Sequence, residues 1–332
     1  MFILRYAALA CLLTPVALLA NPIGSVSSLV VFGDSLSDNG NAAIALGGTL
    51  PGNYAPNAFT DGPNTTPPVP IGGPVGLWVD QLAPQLGVAD PAPFLAGTGG
   101  TNYAVASALS GHNPSFSPVP PLTQVPFTTD QVGLYSLTHG GVASSAALYT
   151  LWSGANDLAA GVSPLTAADN EYSNILTLAA QGGKTFMWLN LPPLGSTPDA
   201  TAAGPVVAGL LNQASAAYNF EWSLDIAKLQ AMGIDVIGVD VNTLFLNIAA
   251  DPAAFGLTNI ADSAWLNTGA NPDTYLFWDG EHPTTAADAL IATTAYNDFL
   301  AAPEPASLAF GVLGLLSLLM LKAKIRFRDR LQ

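Results

Sequence analysis

Three stretches of this chain carry residue types that together could perform acyl transfer. Ser35 lies in Gly33-Asp34-Ser35-Leu36-Ser37-Asp38-Asn39-Gly40-Asn41. Asp279 and His282 lie far downstream, in Trp278-Asp279-Gly280-Glu281-His282-Pro283-Thr284. An aspartate three residues before a histidine puts both on one side of a helical turn. Its carboxylate can take the imidazole Nδ1–H and leave Nε2 to accept a serine proton. Asn156 lies in Ser153-Gly154-Ala155-Asn156-Asp157. Its amide can donate to the oxyanion of a tetrahedral intermediate, a contact whose loss typically costs about 2.7–4 kcal/mol. Taken singly, each stretch has a structural reading: a helix-capping serine, a satisfied histidine, a turn-forming Asn-Asp. A strand-end serine combined with an Asp-x-x-His pair favours nucleophilic catalysis.

The elements that must position these groups are readable from periodicity. Ser28–Phe32, Ala147–Trp152, Thr185–Leu191 and Ile234–Val241 are near-continuous apolar runs, as expected of strands buried on both faces. Val75–Leu86, Ala168–Ala180 and Val206–Leu229 repeat apolar residues at helical spacing. Strands alternating with helices predict an α/β fold with a parallel sheet covered on both faces. Ser35 follows the first predicted strand, where open α/β sheets place ligands. A helix starting there would aim backbone N–H groups at a developing anion. Gly47–Gly73, with six prolines, and Gly111–Pro126 read as loops, the first long enough to be functional.

A fourth stretch, Gly99-Gly100-Thr101-Asn102-Tyr103-Ala104, runs on to Val105-Ala106-Ser107-Ala108 and alone is a weak glycine turn. The four stretches in this order resemble the GDSL or SGNH hydrolase family across about residues 28–300. Asn190-Leu191-Pro192-Pro193-Leu194-Gly195 resembles the NLPPLG segment of the subgroup with plant GDSL lipases and haemolysin-like phospholipases. The resemblance implies a three-layer α/β/α sandwich around a parallel sheet of about five strands. It implies Ser35 as nucleophile, His282 as base and Asp279 as its orienting acid. It also implies an oxyanion hole from the Ser35 N–H, the Ser107 N–H and the Asn156 side chain, with no metal or organic cofactor. Ala106-Ser107 stands where the subgroup usually has Gly-Gly. The Gly-x-Ser-x-Gly elbow of α/β-hydrolases does not surround Ser35.

Composition bounds the remaining possibilities. The chain has 332 residues, 50% of them hydrophobic, enough for a sizeable core. Between residues 21 and 302 the only basic side chains besides histidine are Lys184 and Lys228, against all acidic residues except Glu304 and Asp329. Such a body repels phosphate backbones and speaks against nucleic-acid binding. The single cysteine, Cys11, leaves the body without disulfides or thiolate metal sites. His112 and His139 show no metal-ligand spacing and read as exposed loop residues. Trp152 and Trp278, beside proposed site residues, read as core or pocket wall.

Both ends read as targeting segments around a hydrolase domain at 21–302. Residues 1–20, with Arg5 before an apolar run, have the form of a secretory signal peptide. Residues 303–332 carry Pro303-Glu304-Pro305, an apolar run from Leu308 to Leu321 and a basic cluster. This order resembles the PEP-CTERM sorting signal, which implies processing by an exosortase in a Gram-negative bacterium. The expectation is an exported enzyme at the cell surface or outside it, transiently held at the membrane by that C-terminal segment. Its substrate would be an ester or lipid. Alternatives are an exopolysaccharide acetyl esterase, a lipid acyltransferase, and a catalytically inactive surface binding protein.

Overall fold

A computed structural model describes residues 26–48, 50–52, 54, 57–61, 76–97, 99–118 and 124–302. The signal-peptide and C-terminal sorting readings fall outside these residues. Among the described residues, no helix is long and apolar enough to cross a membrane.

The chain order is β1 (Ser28–Gly33), α1 (Asn41–Ala45), α2 (Trp78–Leu86), α3 (Thr128–Thr138), β2 (Ala147–Trp152), α4 (Ala155–Ala159) and α5 (Pro164–Ala180). It continues with β3 (Thr185–Leu189), α6 (Pro198–Ala202), α7 (Pro205–Ala231), β4 (Asp235–Val239), α8 (Val241–Ala250), β5 (Asn259–Ser263), β6 (Tyr275–Phe277) and α9 (Thr285–Ala301). Short 3₁₀ turns punctuate the connections.

β1 to β4 form one parallel sheet in that order, with Ser28 opposite Ala147 and Thr185 opposite Asp235. Alternate side chains serve two cores, because successive strand residues point to opposite faces. Leu29, Val31, Leu148, Met187, Leu189, Ile237 and Val239 pack with α2, α8 and α9. Val30, Phe32, Tyr149, Leu151, Phe186, Trp188 and Val236 pack with α3, α5 and α7. The result is the expected three-layer sandwich. Both faces are apolar, so the strands read as continuous hydrophobic runs rather than alternating ones.

The sheet differs from five full strands. On the outer side of β1, Thr101–Tyr103 pairs in parallel through one bridge, with Val31 N–H bonding Thr101 O at 2.9 Å and Tyr103 N–H bonding Val31 O at 2.8 Å. β5 and β6 form a separate parallel pair. The chain leaves β1 through α2 on one face and returns through α3 on the other. This reversal makes the carboxyl end of β1 a topological switch point, where such sheets open a crevice.

Candidate active site

Gly33 ends β1 with φ +153 and lies against the Trp152 carbonyl, where a Cβ would overlap the backbone. Glycine is therefore required where the chain turns toward Ser35. Gln131 from α3 clamps this residue, accepting from Gly33 N–H at 2.9 Å and donating to Gly33 O at 2.8 Å. The expected helix N-terminus at Ser35 is absent. Residues 35–37 form a turn, and α1 starts only at Asn41. The Asp38 carboxylate takes the α1 N–H groups of Gly40 (3.0 Å), Asn41 (2.6 Å) and Ala42 (3.0 Å), so they do not face an incoming anion.

The structure brings Ser35, His282 and Asp279 into one line. His282 Nε2 is 2.8 Å from Ser35 Oγ, and Nδ1 is 2.7 Å from Asp279 Oδ2. The Asp-His pair sits in the bend between β6 and α9, not on a helical turn as its spacing suggested. The bend holds its shape because Asp279 Oδ1 accepts from the backbone N–H of Glu281 (2.8 Å) and of His282 (2.7 Å). Trp278 N–H bonds His282 O at 2.8 Å, and Thr284 caps α9 through Ala287 N–H.

Charge in this line is set by competing effects. Burial alone would push Asp279 up. Hydrogen bonds from His282 and Tyr54, with the imidazolium charge, outweigh it and hold Asp279 at about 2. Burial of His282 opposes its charge, but the Asp279 bond and charge raise it above the ordinary imidazole value. Asp279 therefore stays ionised at neutral pH, and its charge favours the protonated form of His282.

Two partners of Asp279 and His282 lie in the long loop and were not visible in the sequence. Tyr54 O–H donates to Asp279 Oδ2 at 2.6 Å, the oxygen that also bonds His282. The Phe59 ring stacks on the imidazole with centroids 5.2 Å apart. Asp61 ties this loop to α9, accepting from Thr285 N–H (2.6 Å) and Oγ1 (2.7 Å). Aromatic residues in a Gly- and Pro-rich loop gave the only hint, and loops carry no period.

The expected oxyanion donors are placed unevenly. Asn156, on α4, lines the same cleft as Ser35 and His282. Its Nδ2 donates to Ala108 O at 3.1 Å and, more loosely, to Asp34 Oδ2 at 3.4 Å. Burial pushes Asp34 up to about 7. Ser107 is exposed and does not line the cleft. It sits in the turn closed by Ala108 N–H to Val105 O (3.1 Å), with φ +64. That left-handed conformation is the one glycine adopts readily and a serine adopts only at a cost.

Of the other singled-out residues, Trp152 also walls the cleft and the rest are structural. Trp152 is buried, donates from Nε1 to Asn190 O at 3.0 Å and packs edge-on against Trp78. Trp278 is buried and stacks on Trp265. His139 is exposed and stacks on Tyr135. His112 is exposed and pairs with the buried carboxylate of Asp130. Behind Asn156, Ser153 Oγ bonds Glu171, a carboxyl that burial pushes up to about 8. Asn190 fixes its own turn, donating to Asp240 at 2.8 Å and accepting from Asn242 N–H at 2.9 Å. Gly195 lets that segment press on α7, since a Cβ there would overlap the Ala208 carbonyl.

Serine, imidazole and carboxylate in line, at the switch point of an α/β/α sandwich, are the arrangement of a serine acyl hydrolase. The chain belongs to the GDSL-like Lipase/Acylhydrolase family, a class of carboxylic ester hydrolases, whose pattern matches residues 29–294. It is 28% identical over 331 residues to a GDSL esterase/lipase of Arabidopsis thaliana, covering 82% of each chain. It is 28% identical over 312 residues to an uncharacterized protein of the trpE-trpG intergenic region of Pseudomonas putida. That match covers 83% of this chain but only about half, 49%, of the relative. Among solved structures, the carbohydrate acetylesterase Est24 of Sinorhizobium meliloti aligns at 14% identity and a TM-score of 0.42, over 83% of this chain and 99% of that one.

Proposed function

We propose that this chain is an exported esterase or lipase that cleaves carboxylic esters through an acyl-enzyme on Ser35. The observation that carries the reading is the unbroken line from Ser35 Oγ through His282 to Asp279, at 2.8 and 2.7 Å. Ser35 Oγ attacks the ester carbonyl carbon while His282 Nε2 takes its proton. The resulting oxyanion is held by the Ser35 N–H and by Asn156 once its amide turns from Ala108 O, while Ser107, outside the cleft, takes no part. The imidazolium then protonates the departing alcohol, leaving the acyl group on Ser35. Water, deprotonated by the same imidazole, attacks the acyl carbon. The acid leaves, and the proton returns to Ser35.

Export is supported by the two ends of the sequence: the Arg5-led apolar run, and the Pro-Glu-Pro, apolar, basic order of 303–332. In this reading an exosortase processes the C-terminal segment, and the enzyme works at the surface of a Gram-negative cell or outside it.

The test is p-nitrophenyl ester hydrolysis by the chain and by Ser35→Ala. Loss of at least about three orders of magnitude in kcat is expected. Full retention in the folded variant would contradict the mechanism.

A further inference from the structure

We propose that the cleft beside Ser35 holds the acyl chain of a medium-to-long aliphatic ester, and that acetyl esters are its poor substrates. This presupposes the ester-hydrolase reading above and names the substrate class of that site. The cleft has a volume of about 480 Å³. That lies within the range of pockets that enclose drug-sized ligands, roughly 300–1,000 Å³, and an acetyl group would leave most of it to water.

The lining separates into two parts. Asn156 with Asp34, and His282 with Ser35, are two hydrogen-bonded pairs that make up the polar part. Away from it, α4, the turn after β3, α6 and the start of α7 contribute a largely aliphatic wall that includes Leu158, Leu194, Ala200 and Leu211, broken by Thr197 and Asp199, with Glu281 the other polar lining residue. Such a wall gains by covering methylenes and gives a sugar little to hydrogen-bond. The aromatic rings in the lining, Trp152, Phe245 and Phe277, are all buried, with at most 6% exposure. None offers an open face for a pyranose, and the Trp152 N–H is already bonded to Asn190 O.

The wall continues past the mouth. Val207 and Leu210 line the cleft while 40% and 61% exposed, and neighbouring Val206 is 74% exposed. Leu210 lies one helical turn from both Val206 and Val207 on α7, so the three form one apolar strip. The rest of an acyl chain lying in the cleft would cover this strip.

The experiment measures kcat/KM of the full chain for p-nitrophenyl acetate, butyrate and octanoate below their micelle-forming concentrations. Each buried methylene is worth about fourfold. With about half of the six added methylenes removed from water, octanoate should exceed acetate roughly sixtyfold. The exposed-site double variant Val207→Glu/Leu210→Glu should narrow that ratio at least about tenfold. Ser35-dependent hydrolysis that favours acetate, or a ratio unmoved in the variant, would overturn the inference and leave the hydrolase reading standing. A folded chain that turns over none of the three esters would overturn both.

Discussion

Asp279 Oδ2 is shared between His282 and Tyr54, and in the proposed mechanism this sharing tunes the base. A carboxylate oxygen that already accepts a phenol O–H binds an imidazolium less strongly than a free one. His282 must be neutral to accept the serine proton, and it is raised above the ordinary 6.5. Activity should therefore rise with pH through a midpoint above 6.5. Tyr54→Phe removes the competing donor. His282 should then hold its proton more tightly, moving the acid limb of kcat/KM to higher pH by up to about one unit, with a few-fold loss of kcat. A pH–rate profile checks this. An unchanged midpoint in Tyr54→Phe would mean that the tyrosine only anchors its loop.

At the scale of elements, the strands were the most legible part, because burial on both faces leaves unbroken apolar runs. Ala147–Trp152 agrees at both ends. Thr185–Leu191 overran by two residues: Asn190 still bonds Val239 O through its N–H, but its side chain ties the strand end to Asp240 and Asn242 at the start of α8. The helices α3 and α9 were missed. α3 presents polar Gln131 and Asp130 inward, and α9 packs with alanines, so neither shows a strong apolar stripe. The Ser, His and Asp of the site were legible from residue type, spacing and order. Their local geometry was not: an Asx-like bend replaces the helical turn at Asp279, and Asp38 takes the N–H groups expected near Ser35. Tyr54 and Phe59 could not be placed from sequence, since only the tertiary fold returns their loop to His282.

Over the whole molecule, acidity and burial combine into a stability profile. Burial raises Asp38, Asp80 and Asp235 to about 6, Asp34 to about 7 and Glu171 to about 8. Between their ordinary values near 4 and these raised ones, the folded chain binds more protons than the unfolded chain. Stability therefore falls as pH rises through that window, and His282, also raised, adds in the same direction. Asp279 acts oppositely, but only as pH falls toward about 2. The formal net charge of −15 adds self-repulsion at the alkaline end. Thermal unfolding should show a Tm several degrees higher near pH 5.5 than near pH 8. An equal or higher Tm at the alkaline pH would mean that these carboxyls stay ionised in the fold.

All of this depends on the Ser35 hydroxyl being activated by His282. The most direct measurement is treatment of the folded chain with a fluorophosphonate, followed by peptide mass spectrometry. A single adduct on the Ser35 peptide is expected, lost in Ser35→Ala and strongly slowed in His282→Gln. A folded chain that takes no adduct, or takes it on another serine, would contradict the assignment.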